Sequence, residues 1–237
     1  MIAEQELKQI QAAHPHVVEQ MYVWEAPVRL WHWGNFLAMI TLMVTGYLIG
    51  SPPPAIGGEA TFTFMFGWIR LLHFSAAYVF AIGLVVRLYW AFVGNSHAKQ
   101  IFMLPLTDKQ WWKDLWGGLK WYMFMNDRPR YYVGHNPQAQ LVTVLGYTIP
   151  AFFMAFTGFA LYSEGKGVGT WSDKLFGWII PLAGGSQALH TWHHLGLWVL
   201  VLFAMAHIYA VIRDDIMSRQ SQVSSIISGY RINKDRP

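Results

Sequence analysis

The chain has 237 residues, 54% of them apolar, with 13 tryptophans and no cysteine. Without cysteine there can be no disulfide, no thiolate-held iron-sulfur cluster and no thioether-attached haem, so a redox centre would have to be held non-covalently, by histidine above all. The net charge of +4 comes from basic residues spaced between apolar stretches, without the aromatic interleaving on a soluble domain that nucleic-acid binding needs.

The first twenty or so residues are polar and include Glu4, Glu6 and Glu19. They lack the basic start and short apolar core of a cleaved signal, so the first apolar segment is expected to persist as a span. Spans are predicted at about residues 30–51, 68–93, 139–162 and 189–212. Each is near the roughly 20 residues needed to cross about 30 Å of hydrocarbon. Trp24, Trp31, Trp33, Trp68, Trp90, Trp171 and Trp178 cluster at their ends, where amphipathic rings meet the headgroups. The connections at residues 50–67 (with SPPPAIGG) and 163–188 (with EGKGVG and LAGG) are short, and both could shape a docking surface.

The connection at residues 94–140 contains KQWWKDLWGGLKWYMF, where Trp112, Leu115, Trp116 and Leu119 recur at helical spacing among Lys109, Lys113 and Lys120. That pattern predicts an interfacial amphipathic helix. Of the 17 basic residues, only Arg70, Lys166 and Lys174 flank the side opposite this connection. By the positive-inside rule the connection and both termini are cytoplasmic. The expected fold is all-α: an integral membrane four-helix bundle with an interfacial helix in the cytoplasmic loop. A tail (residues 1–21) and a short end (residues 232–237) flank one membrane domain (residues 22–231).

Six histidines fall within the spans, and four of them sit at matching depths. His193 and His207 are fourteen residues apart in a segment with no charged residue from Leu175 to Ile212. Fourteen steps of about 100° return a helical side chain to within roughly 40° of its starting face, after a rise of about 21 Å. His32 and His73 open the first and second spans. With alternating helix directions, His73 and His193 lie near the outer side and His32 and His207 near the cytoplasmic side. Each pair bridges two helices, which suits a bis-histidine iron centre that passes single electrons and has no open position for oxygen.

Gly46 and Arg87, each fourteen residues beyond a ligand histidine, have two readings. Gly46 either admits a flat macrocycle or serves close helix packing, and Arg87 either pairs with propionates or snorkels to the interface. His194 competes with His193 as outer ligand, but it and His190 point well off the His207 face. As an i, i+4 pair without an accompanying glutamate these two suit a surface or propionate contact better than a hydrolytic metal site. His14, His16, His97 and His135 lie outside the spans and are expected to be solvated.

Several segments resemble the b-type cytochrome subunits of membrane-bound nickel-iron hydrogenases, with formate dehydrogenase cytochrome b subunits as more distant relatives. They are YVWEAPVRLWHW (residues 22–33), the His73 segment, WHHLGLWVLVLFAMAHIYAVIRDDIMSRQ (residues 192–220) and SSIISGYR (residues 224–231). The last two favour the hydrogenase branch. The resemblance implies two non-covalent haems b in a four-helix bundle of the bacterial inner membrane, ligated by His32, His73, His193 and His207. It also implies electron delivery from an iron-sulfur small subunit, with its membrane anchor helix and the nickel-iron large subunit behind it, and reduction of quinone. Analogy places the quinone at the inner ends of the first and fourth helices, near Arg29, Trp33, Asn35 and Asp214.

Two other classes stay open on the residues alone. A proton carrier would relay protons through the histidines, yet such proteins carry broken helices or repeats at the midplane, and Pro150, with no ionisable neighbour, is the only interruption inside these spans. A passive membrane anchor would have no use for four buried imidazoles at matching depths.

Overall fold

The computed structural model describes residues 19–54, 64–126, 132, 134–217 and 221–233. His14, His16 and the greater part of both tails lie outside the described residues. The described chain begins with a short strand, β1 (Glu19–Tyr22), and turns at Glu25 into α1 (Ala26–Gly50), whose Pro27 sits in the first turn, where a missing N–H breaks no helical bond. It returns as α2 (Met65–Val93). The single-turn helix α3 (Ser96–Gln100) starts where Asn95 Oδ1 accepts from the Ala98 N–H at 2.8 Å, and it leads to α4 (Lys109–Tyr122), capped in the same way by Asp108.

The third crossing is continuous helix from Pro137 to Lys166 in three parts: α5 (Pro137–Val142), a π-helical turn (Thr143–Thr148) and α6 (Ile149–Lys166). Pro150 has no N–H to give the Gly146 carbonyl, and the widened turn just before it takes up the irregularity that the sequence marked. Two short helices, α7 (Trp171–Phe176) and α8 (Ile179–Leu182), precede the fourth crossing, α9 (Ser186–Met217). The last described elements are α10 (Gln222–Ser228) and β2 (Tyr230–Asn233). β2 pairs antiparallel with β1, Tyr22 opposite Tyr230.

Among the described residues, four helices of 25, 29, 30 and 32 residues are therefore long and apolar enough to cross a membrane. At about 1.5 Å per residue each exceeds the roughly 30 Å of a hydrocarbon core. They run up-down-up-down, as expected of an all-α integral membrane bundle. Each starts two to four residues before its predicted span, because hydropathy marks the hydrocarbon while caps such as Pro27 and the Asn136–Pro137 pair sit outside it. The core gathers small and large residues from all four crossings: Ala38, Met39, Phe80, Leu84, Tyr147, Ala151 and Leu200. Leu30, Leu37, Ile82, Val85 and Leu202 point outward and are more than half exposed, an apolar rim suited to acyl chains.

At the end of the bundle that carries β1 and β2, here the terminal end, polar groups tie the elements together. Glu25 Oε2 accepts from Trp90 Nε1 (2.9 Å) and from the Asn95 N–H (2.8 Å). The expected amphipathic stripe of α4 is split. Leu115 turns inward with Trp111 and Trp121, whereas Trp112 and Trp116 are exposed. Gln138 Nε2 reaches across α4 to the carbonyls of Asp114 and Leu115 at 2.7 and 2.8 Å. Gly118 leaves room for it, since a Cβ there would lie only 1.9 Å from that nitrogen.

Candidate functional site

At the opposite end, here the loop end, a cavity of about 790 Å³ lies between α1, α2, α6 and α9. His73 from α2 and His193 from α9 both line it, with Gly46, Gly158, Arg70 and His194. The volume falls within the range of sites for organic cofactors.

Both rings are held in the same way. Thr45 Oγ1 lies 2.9 Å from His73 Nδ1 and 2.6 Å from the Thr41 carbonyl oxygen. A hydroxyl has one hydrogen, and the carbonyl can only accept it, so toward the imidazole the threonine is an acceptor and Nδ1 must donate. Thr157 Oγ1 repeats the arrangement at 2.8 Å from His193 Nδ1 and 2.7 Å from the Phe153 carbonyl. In both histidines Nε2 is left as the unprotonated nitrogen, the form that ligates a metal.

A glycine backs each ring. A Cβ on Gly46 would stand 3.3 Å from His73 Cε1, and one on Gly158 would stand 3.2 Å from His193 Cε1. Gly46 lies on the cavity wall with the His73 ring packed against it. His194 also lines the cavity but packs on α1: a Cβ on Gly50 would come within 2.6 Å of its Nδ1. His190 Nδ1 donates locally to the Ser186 carbonyl, 3.0 Å away.

Toward the terminal end the rings of His32 on α1 and His207 on α9 lie beside each other, with centroids 6.3 Å apart and planes tilted by 51°. Phe203 stacks on His207 with centroids 5.7 Å apart. The His32 Nδ1 is buried with no hydrogen-bond partner. Among the described residues no group of three or more histidines and carboxylates could hold a bare metal ion.

Arg87 is buried, not snorkelled. Its Nη2 donates to the Ala98 carbonyl (3.0 Å), its guanidinium lies 5.6 Å from the Trp31 ring and 4.9 Å from that of Phe102, and its Nη1 is buried without a partner. The residues suggested for a quinone region are apportioned among different contacts. Arg29 Nη1 donates to the Ile227 carbonyl, Asn35 Oδ1 accepts from Tyr147 OH at 2.8 Å, Trp33 packs edge-on to His32, and Asp214 Oδ2 accepts from Tyr122 OH at 2.9 Å. Burial, then the adjacent Asp214, raises the Tyr122 hydroxyl well above the usual phenol range, which keeps it a donor.

Sequence reasoning missed several of these residues. His135, expected to be solvated, packs edge-on to Trp24 with centroids 4.8 Å apart. Burial, then the nearby charges of Arg87, Arg231 and His97, lowers it from 6.5 to about 3. No local pattern announces this, since the burial comes from chain segments far apart in sequence. Thr45 and Thr157 carried a signal that could have been read: each directly precedes a glycine within a span. Arg70, considered only as a flanking charge, sits on the cavity one helical turn before His73.

The comparisons with known proteins agree with one another. The family model described as prokaryotic cytochrome b561 matches residues 23–229. A protein of Azotobacter chroococcum mcd 1, named "Probable Ni/Fe-hydrogenase B-type cytochrome subunit", is 54% identical over 215 residues, covering 91% of this chain and 90% of that protein. One of the same name from Cupriavidus necator is 51% identical over 218 residues, covering 92% and 89%. A third, from Escherichia coli K12, is named "Probable Ni/Fe-hydrogenase 1 B-type cytochrome subunit" and is 45% identical over 218 residues, covering 90% and 91%.

Proposed function

The chain belongs to the prokaryotic cytochrome b561 family, and from that premise we propose that it is the dihaem membrane subunit of a nickel-iron hydrogenase, carrying electrons from the hydrogenase to quinone. The observation that carries this reading is the matched pair of histidines at each end of one bundle. His73 and His193 share a 790 Å³ cavity, and the ring centroids of His32 and His207 lie 6.3 Å apart. Haem b held between two imidazoles is a six-coordinate one-electron carrier with no position open to oxygen.

The side chains around each pair fit such a group. At the loop end Thr45 and Thr157 keep the Nε2 atoms of His73 and His193 free to ligate, Gly46 and Gly158 let the rings lie flat, and the Arg70 guanidinium on the cavity wall can meet a propionate. At the terminal end Arg87, with Nη1 unpartnered, can do the same for the second group. The positive-inside distribution puts the terminal end in the cytoplasm, so the loop end, with the connections before α2 and between α6 and α9, faces the iron-sulfur small subunit and its anchor helix. The nickel-iron large subunit lies beyond it. Quinone then takes electrons near Arg29, Trp33, Asn35 and Asp214, next to the His32–His207 pair. Both termini are cytoplasmic, and proton release outside with uptake inside makes turnover electrogenic.

The relatives' names point to hydrogenase rather than formate dehydrogenase. The test is hydrogen-driven quinone reduction in membranes that carry the whole complex. Deleting this chain should abolish it while hydrogen-driven reduction of a soluble dye persists. Undiminished quinone reduction without the chain would refute the proposal.

A further inference from the structure

The sequence contains two Thr-Gly steps, Thr45-Gly46 and Thr157-Gly158, and each meets one histidine of the loop-end pair. We propose that the Thr-Gly step is a histidine holder and that it sets the loop-end haem at a lower potential than the terminal-end one. This rests on the dihaem reading above.

The two steps lie on different helices, α1 and α6, and each serves the helix that packs beside it. The threonine hydroxyls accept from Nδ1 of His73 and His193 at 2.9 and 2.8 Å. The glycines leave space for Cε1 of the same rings, where a Cβ would come within 3.3 and 3.2 Å. Hydroxyl and missing Cβ act together: one fixes the tautomer and rotation, and the other lets the ring approach close enough to be fixed. These four are positioning residues, acting through the imidazoles.

The terminal-end pair lacks the device. His32 Nδ1 is buried and unpartnered, and among the described residues the His207 ring has no hydrogen-bond partner. An imidazole that gives its Nδ1–H to an acceptor is the more basic ligand at Nε2. A more basic ligand favours ferric over ferrous iron and lowers the potential. With two accepting threonines at one end and none at the other, the gradient runs downhill for electrons from loop end to terminal end.

The test is a redox titration of the purified chain with its haems bound, comparing Thr45→Val and Thr157→Val with Thr45→Ser and Thr157→Ser. Valine keeps the shape and removes the acceptor, and serine restores the acceptor. Each valine variant should raise the potential of the loop-end haem and shift its low-spin ferric resonance, leaving the other haem unmoved, while the serine variants stay native. A tenfold loss of ferric preference corresponds to about 59 mV for one electron. Loss of one haem in the valine variants with both retained in the serine variants supports the same role. Native potentials in the valine variants overturn it, as does equal haem loss in serine and valine variants. So does assignment of the lower potential to the His32–His207 pair. A wild-type chain without two haems overturns the dihaem reading itself, a separate outcome in the same preparation.

Discussion

Adding one methyl group at Gly158 tests whether the loop-end cavity is built around a ligating histidine. A Cβ there would lie 3.2 Å from His193 Cε1 and 3.9 Å from Nε2. Carbon atoms in contact prefer about 3.5–4.0 Å, so the ring has to retreat by roughly 0.3 Å or more. Thr157 holds the neighbouring Nδ1 at 2.8 Å, which leaves rotation away from the helix as the way out. Metal-ligand geometry tolerates about ±0.2 Å, and disturbing the shell around a ligand costs about 10–100-fold in affinity. Gly158→Ala should therefore lower the haem count of the purified chain from two toward one, measured from the absorbance of the extracted haem against protein. Loss of helix stability would not explain such a result, because alanine is the better helix former by up to about 1 kcal/mol. Gly34→Ala is the control: its Cβ meets nothing within 4 Å, and both haems should remain. A Gly158→Ala chain with two haems and an unshifted spectrum would refute the reasoning.

Three other outcomes follow from the same structure. His193→Ala should remove one haem and His194→Ala should remove none, since His193 is held by Thr157 whereas His194 packs on Gly50; a reversed haem count would make His194 the ligand. Arg87→Lys should cost about 1–3 kcal/mol in thermal unfolding, because lysine cannot bond the Ala98 carbonyl and lie over the Phe102 ring at once; haem loss at unchanged melting temperature would assign Arg87 mainly to propionate binding. His135, lowered to about 3 in the fold, stays neutral where the unfolded chain, with its ordinary value near 6.5, takes up a proton. Its contribution is intact above about pH 6.5 and declines toward pH 3 at up to about 1.4 kcal/mol per unit. His135→Asn should flatten the melting temperature against pH between 6.5 and 4, and an unchanged slope would show that His135 is protonated in the fold.

The four spans and the pairing of histidines by depth were legible because hydropathy and a 3.6-residue period report directly on which segments cross and which face a residue takes. The fourteen-residue interval between His193 and His207 carried the depths, and the alternation of helix direction supplied the partners. What the sequence left hidden depends on contacts between distant segments. The two strands at residues 19–22 and 230–233 are four residues long and show no alternation strong enough to announce them. His135 reads as a loop residue until Trp24 is folded against it. Trp111 and Trp112 are indistinguishable by composition, yet the packing of α4 on Gln138 buries one and exposes the other. Gly46 was singled out by helical phase, and only the α1–α2 approach shows that it meets His73.

The most direct measurement of the central claim is the haem-to-chain ratio of the purified full-length protein and of four single variants. The expected result is two haems b in the native chain, with His73→Ala and His193→Ala each removing the same one and His32→Ala and His207→Ala each removing the other, as told by their reduced absorbance and potentials. A native ratio of one or zero, or variants that fall into any other grouping, would contradict a bundle that carries one bis-histidine site at each end.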